Sequence, residues 1–503
     1  MTTATATPPS EKGGDTDIAT LAEGGRTNII GFALRLAARI PFLFVAGRLY
    51  GAAAVGHFAL AVVVVELAAL IATLGMKRGL AQALSATDRP HAHVAWDALM
   101  VAFLASMVAS GILFAAPGLM YAQGQPVGLA RGLPAIVVAI AWSDISLAAL
   151  AYRHNVRAAV TARAIIEPWT ISIAATILYY VAPQSGLEIA YMLSMLVAMI
   201  ASIIPFVRSY GLPTGWKPRL STIVALATRN IPLAGADAIE WASRNVDRFI
   251  IGQLFAPAVV GVYYMAQQFA SLPGRLKTSF DPILGPVIAT SLARGDKHAV
   301  AKQIRQVGFW IMAAQGGIAL ALSIPGEAVM GTVGPQFVGG AAALAFLLTA
   351  EVAASTAAVS ESGLVYVARH RNLIISAALL IFQTAISFAL ITVLRELGWS
   401  PAGQAAGPAI ALLLSLTLAS IIKSRLLSSI LGAPVSGLRL PLVGAVVVSA
   451  AIGGAFTALP SQFEWVELLI GIPAILASYL LILRRWAFGP EDRALFKRVP
   501  QPA

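Results

Sequence analysis

Apolar runs of roughly 20 residues recur from residue 26 to residue 486, parted by short polar links. Laid out as a helix, a run of that length matches the ~30 Å hydrocarbon core of a bilayer. In lipid every backbone polar group needs an internal partner, so such runs must be helical. The chain is therefore expected to be an all-α polytopic membrane protein. Fourteen segments are expected, centred near residues 38, 68, 106, 140, 173, 198, 240, 272, 311, 350, 382, 412, 447 and 474. Only 12% of the 503 residues are charged and mean hydropathy is +0.79, whereas soluble domains carry about 25% charged residues. No stretch reads as a soluble domain.

The net charge of +12 raises nucleic acid as a partner, and the placement of the cations answers it. With a cytoplasmic N-terminus, the even-numbered links and both tails collect Arg153, Arg157 and Arg163, then Lys217, Arg219 and Arg229. Lys297, Lys302, Arg305, Arg369, Arg371, Arg484, Arg485, Arg493, Lys497 and Arg498 follow them. The opposite links hold little beyond Arg48, Arg131 and Arg395. That asymmetry is the positive-inside pattern. It predicts a multi-pass protein of the cell inner (plasma) membrane with both termini cytoplasmic, and leaves nucleic acid nothing to explain.

Residues 1–25 are small, polar and punctuated by Pro and Gly. They lack the basic and apolar regions of a signal peptide, and are expected to be a disordered cytoplasmic tail. The absence of cysteine excludes disulfides and thiolate metal sites. His91 and His93 form the closest histidine pair, in a polar link with Asp88 and Arg89. They offer too few ligands for a metal, and neither a metal nor a cofactor is expected.

A shift of 205 residues superimposes two stretches. Residues 47–61 read GRLYGAAAVGHFALA and residues 252–266 read GQLFAPAVVGVYYMA. Gly47/Gly252, Leu49/Leu254, Ala53/Ala258, Val55/Val260, Gly56/Gly261 and Ala61/Ala266 are identical, and Arg39 falls on Arg244. Six segments separate the copies, so both share one orientation, which makes a parallel repeat. The expected organisation is two pseudo-symmetric six-helix lobes, at 26–210 and 230–426. An inter-lobe linker at 211–229, two further helices within 437–486 and a cytoplasmic tail at 487–503 complete it. In such repeats substrate binds between the halves. Gly56 and Gly261 also suit close approach of two helix backbones.

The seventh segment is unusual. Asp237, Glu240, Arg244 and Arg248 are spaced 3, 4 and 4, with Asp247 beside them, which stacks them on one helix face. Such a face cannot meet lipid, because a charge at the bilayer centre costs at least ~2.5 kcal/mol. The first segment carries Arg35 and Arg39, also one turn apart. Both helices therefore direct charge toward a central cleft, and Glu66 adds another acid. Salt bridging, as of Glu240 with Arg244, is the structural alternative for the acids. It cannot neutralise all four arginines, and surplus guanidinium suits an anionic, phosphate-bearing substrate. Arg35, Arg39, Arg244 and Arg248 are the candidate substrate ligands. Asp237, Glu240, Asp247 and Glu66 are the candidate coupling or charge-network residues. The eighth segment carries Pro273, Pro282 and Pro286, and prolines inside a helix make it a candidate bendable, cavity-lining element.

Asn245, Asp247, Arg248, Gly252, Gly261, Tyr263 and Ala266 resemble the Asn-x-Asp-Arg…Gly…Gly-x-Tyr pattern of polysaccharide-unit flippases. These belong to the multidrug/oligosaccharidyl-lipid/polysaccharide exporter (MOP) superfamily. Gly47 through Phe58, and GPQFVGGAAALAFLL at 334–348, are similar to other elements of that family. The resemblance implies two six-helix lobes in a V, two added C-terminal helices, and alternating access. It also implies export of a polyprenyl-pyrophosphate-linked oligosaccharide, by a monomer working with a glycan polymerase and a chain-length regulator. A peptidoglycan lipid-precursor flippase and a cation-coupled drug exporter share the fold and stay open as alternatives. The drug exporter predicts an acid-dominated cleft. A glycan polymerase or ligase needs a large extracytoplasmic loop, which is not found here. No Walker A, HExxH or GxSxG motif occurs, so a transporter rather than an enzyme is expected.

Overall fold

The computed structural model describes residues 38–122, 128–274, 280–459, 464–489 and 492. Arg35, the tail at 1–25 and most of the tail at 487–503 lie outside the described residues. All regular structure among the described residues is helical. Helix α1 (38–50) ends at Gly51, whose φ of +80° breaks the axis before α2 (Gly51–Ala72). Leu74 and Gly75, both at positive φ, turn the chain into α3 (Met76–Ser85). Then come α4 (His91–Ala115), α5 (Ile136–Tyr152), α6 (Arg157–Val181) and α7 (Gly186–Tyr210). The second half contains α8 (Leu220–Leu254), α9 (Pro257–Gly274), α10 (Asp281–Ala293), α11 (Lys297–Ser323), α12 (Ala341–Val367), α13 (Arg369–Glu396) and α14 (Ala406–Leu431). Last are α15 (Leu440–Thr457) and α16 (Glu467–Ala487).

Eleven of the described spans are long and apolar enough to cross a membrane, where fourteen segments were expected. The difference falls at three places. Residues Ala38–Ser85 form one nearly continuous span. Helix α8 carries too many charges to qualify, although its 35 residues reach about 52 Å at 1.5 Å per residue. The eighth segment falls in α9 and α10, and residues 275–279 between them lie outside the described residues. Pro273 lies inside α9, and Pro282 stands in the first turn of α10, where proline fits without a lost hydrogen bond. Pro286 lies one turn further on.

The burial pattern is that of a protein in lipid. Met107, Ile177, Ile381 and Val447 face outward, while Ser106, Ser143, Ser202 and Gln315 are buried between helices. Small and hydroxylated residues inside, with apolar residues outside, mark helix packing without a water-driven core. The chain is a multi-pass membrane protein. Its last two helices form a separate cluster on α11. There Tyr479 Oη donates to Ala313 O (2.8 Å), and Gly316 leaves room for that ring. Buried Asp492 accepts from Trp310 Nε1 (2.8 Å) and Arg439 (2.6 Å), pinning the chain that follows α16.

Candidate functional site

A cavity of about 1200 Å³ lies between the halves, walled by α1, α2, α6 and α7 on one side and by α8, α9, α12, α13 and α14 on the other. No residue of α15 or α16 lines it. One end is closed. Phe58 there sits with its ring 5.7 Å from Phe42, 5.9 Å from Tyr191 and 6.2 Å from Tyr264. Just beyond this aromatic cap, the repeat glycines Gly56 and Gly261 bring α2 and α9 into backbone contact. A Cβ on Gly56 would stand 1.7 Å from Pro257 O, and one on Gly261 would stand 1.9 Å from Ala52 O. Every lining residue of α2 and α9 lies on the same side of this pair. Arg48 Nε donating to Thr332 O (2.8 Å) and Gln336 Nε2 donating to Gly47 O (3.1 Å) add further ties between the halves at the closed end. The opposite end is lined by Arg229, Arg369 and His370 at the starts of α8 and α13. Arg78, Glu240 and Arg244 are each more than half exposed on the way to it.

The charges expected at the cleft divide into three groups. The first group is neutralised from the other half. Gly75 and Gly79 let α3 lie against Asn230, Leu233 and Ala234 of α8, where a Cβ on Gly79 would meet Asn230 Oδ1 at 1.9 Å. That contact carries Arg78 onto the two acids. Its Nε lies 2.7 Å from Asp237 Oδ1, and Nη2 donates to Glu240 Oε2 at 2.6 Å. The Asp237 contact is an ion pair without hydrogen-bond alignment. Glu240 is thus paired with Arg78, not with Arg244. Arg244 instead stands 3.9 Å from Glu351 Oε1 of α12.

The second group is structural. Asp247 is fully buried and does not line the cavity. Its carboxylate accepts from Tyr263 Oη (2.6 Å), from the Arg248 backbone N–H (2.8 Å), and at longer range from Gln267 Nε2. These bonds fasten α8 to α9 and set the backbone from which Arg248 projects. Asp247→Ala is expected to destabilise the protein by about 1–3 kcal/mol, because it leaves the buried Tyr263 hydroxyl unsatisfied. Thermal unfolding of the purified protein in detergent checks this, and Asp247→Asn should recover part of the loss.

The third group is Arg39 and Arg248. Arg39 lines the cavity and forms no hydrogen bond or ion pair among the described residues. Arg248 is buried to all but 7%. Nη2 donates to Asn245 Oδ1 (2.5 Å), the guanidinium lies 5.4 Å over the Tyr264 ring, and Nε has no partner. A buried guanidinium short of an acceptor favours an anion. Glu66 lines the cavity with them, within electrostatic reach of both.

Two further charge clusters lie in the walls. Arg163 bonds to Asp144 and to Glu167 (2.9 Å), with Lys77 3.5 Å from Asp144. Arg163 was expected in a cytoplasmic link; it lies inside α6, on a π-helical turn at Thr161–Ile166, a feature frequent at functional sites. Lys423 of α14 is buried, with Nζ 3.1 Å from Glu361 Oε2 and 2.9 Å from Ser376 Oγ. Sequence reading missed Arg78, Lys77 and Lys423. Arg78 and Lys77 sit among polar residues after a turn, and Lys423 beside Arg425 reads as a helix end. Pro273 lies near the cavity, its carbonyl accepting from Gln315 Nε2 (3.0 Å).

A family model described as polysaccharide biosynthesis protein matches residues 45–323. No curated protein sequence gives a match. Among solved structures, the chain is similar to the lipid II flippase MurJ in its inward closed conformation, with 13% identity and a TM-score of 0.70. The match covers 92% of this chain and 100% of that one. A multidrug resistance MATE family transporter of the MOP superfamily, inward-facing, matches at 14% identity and a TM-score of 0.58, over 82% and 94% of the two chains. A MOP superfamily transporter from Pyrococcus furiosus, whose binding pocket has reversed polarity, matches at 15% identity and 0.57, over 83% and 96%. These likenesses establish the fold.

Proposed function

The chain belongs to the polysaccharide biosynthesis protein family, and from that premise we propose that it is a flippase for a polyprenyl-pyrophosphate-linked oligosaccharide repeat unit. The observation that carries the reading is the pair Arg39 and Arg248. Among the described residues they are the cations without an ion pair at the closed end of a cavity shared by both halves. Guanidinium groups recognise phosphate through paired N–H donors, and a pyrophosphate spans two such groups. Arg244 would complete the lining.

In this reading residues 26–210 and 230–426 are two lobes that rock about the cavity, and residues 437–486 are added helices outside the cycle. The mouth beside Arg229 and Arg369 faces the cytoplasm, and the Gly56–Gly261 contact is the outward seal. Asp237 and Glu240 with Arg78 form the tie between lobes on the cytoplasmic side. The prolines at 273, 282 and 286 lie where the second lobe must adjust. A glycan polymerase and a chain-length regulator would take the product. The protein works in the inner membrane with cytoplasmic termini, which reporter fusions to each terminus test.

The direct test is transfer of a lipid-linked repeat unit across proteoliposomes holding the purified protein. Protection of the glycan from an external glycosidase reports its side, and no change in protection over empty liposomes rejects the reading. The peptidoglycan-precursor alternative draws on the likeness to MurJ and uses the same pyrophosphate chemistry. It predicts that deletion stops growth, whereas a repeat-unit flippase predicts viable cells without surface polysaccharide.

The lobe tie gives a further prediction. Arg78→Glu places three acids together and is expected to cut export at least tenfold, since like charges at this range cost more than ~1 kcal/mol. Combining it with Asp237→Lys and Glu240→Arg should restore much of the loss. Surface glycan measured at equal protein level checks both.

A further inference from the structure

The carboxylates that line the cavity are each held by a cation, with one exception. Glu240 is taken by Arg78, Glu167 by Arg163, Glu351 by Arg244 and Glu361 by Lys423. Glu66, in the middle of α2, has no hydrogen bond or ion pair among the described residues, yet it lines the cavity. The charges within its reach are Arg248 of α8, Arg39 of α1, and Glu167 and Arg163 of α6; Tyr191 of α7 and Tyr264 of α9 face it as neutral neighbours. Arg163 is already occupied by Asp144 and Glu167. The unpaired carboxylate thus lines the same cavity as the two guanidiniums that lack an ion pair, within electrostatic reach of both but beyond ion-pair distance.

We propose that Glu66 is the resident counter-charge of Arg39 and Arg248, and that it competes with the phosphate groups of the substrate for them. The inference rests on the proposed flippase reading and adds to it a residue that sets affinity and release. With the cleft empty, the carboxylate offsets two charges that would otherwise be buried without an anion, an unfavourable state in a low-dielectric site. A pyrophosphate entering between the arginines brings its own negative charge against Glu66. Binding is weaker than the arginines alone would make it, and the same repulsion favours departure on the far side. Tight binding alone does not speed transport, because a carrier must also let go.

The test uses the full-length protein in detergent with farnesyl pyrophosphate as probe, titrated by calorimetry. Glu66→Gln keeps the shape and removes the charge. It is expected to bind the probe about tenfold tighter than wild type, while glycan export in cells falls at least threefold. Glu66→Asp, which restores a carboxylate, should return both values toward wild type. A purely structural role for Glu66 predicts weaker binding together with a lower unfolding temperature. Unchanged or weaker binding in a Glu66→Gln protein of normal thermal stability overturns the inference alone. Absence of probe binding by wild type, or wild-type affinity in an Arg39→Ala/Arg248→Ala double variant, overturns the arginine-cleft reading and this inference with it.

Discussion

Alanine at Arg248 is expected to abolish glycan export while leaving the amount of protein in the membrane unchanged. The guanidinium is almost fully buried, its Nε lacks an acceptor, and Asn245 holds it in place. Charge-assisted hydrogen bonds contribute about 1.5–3 kcal/mol each, so losing a paired contact to phosphate should weaken binding by a hundredfold or more. The free protein should gain slightly in stability, because a buried and incompletely paired charge is removed. Arg248→Lys keeps the charge but not the planar fork, and should recover only a small part of export. Arg39→Ala should behave alike, whereas Arg244→Ala, at an exposed site with Glu351 nearby, should be milder. Export measured as surface polysaccharide, beside protein level and unfolding temperature, separates these outcomes. Wild-type export from the Arg248→Ala strain would remove that residue from the mechanism.

The second large effect is expected at Gly261. A methyl group there would stand 1.9 Å from a backbone oxygen of α2, where a C···O contact needs about 3.3 Å. Neither partner is a flexible side chain, so relief requires the two helices to part by more than ~1 Å. Gly261→Leu should therefore hold the closed end apart and reduce export at least tenfold. Gly261→Ala should do the same less completely, and Gly56→Ala should match it because its methyl group meets Pro257 O at 1.7 Å. The chain has no native cysteine, so spin labels at Arg48→Cys and Thr332→Cys report only this end. Their separation should lengthen in the Gly261 variants. An unchanged distance with normal export would show that the contact is dispensable. Normal thermal unfolding of the variants would show that the two halves still fold.

Much of this was legible in the residues. The repeat at 47–61 and 252–266 pointed to two matched glycines, and they bring α2 and α9 into backbone contact at the closed end. The 3-4-4 spacing placed Glu240, Arg244 and Arg248 on one wall, and all three line the cavity. Asp247, seven residues after Glu240 and so close to that stripe in helical phase, is instead buried in the α8–α9 packing, where Tyr263 donates to it. The Glu240–Arg244 bridge that stood as the alternative does not form, because Arg78 approaches closer from a segment some 160 residues earlier. The span count was blurred where charge and proline interrupt the apolar signal, at α8 and at the prolines of α9 and α10.

Amino-acid order alone determined the lipid environment, the helical class and the placement of a cation-rich face inside the bundle. Each of these follows from local chemistry, since the cost of exposing a backbone group or a charge to hydrocarbon depends on the segment that carries it. The tertiary structure decided which charges cancel. Ion pairing depends on distances of a few ångströms between side chains of different helices, and such distances are set by how the helices pack. Glycine contacts at Gly75 and Gly79 deliver Arg78 to Asp237 and Glu240, and Tyr263 claims Asp247. Among the charges of α8, that leaves Arg248 lining the cavity, buried and with its Nε unused.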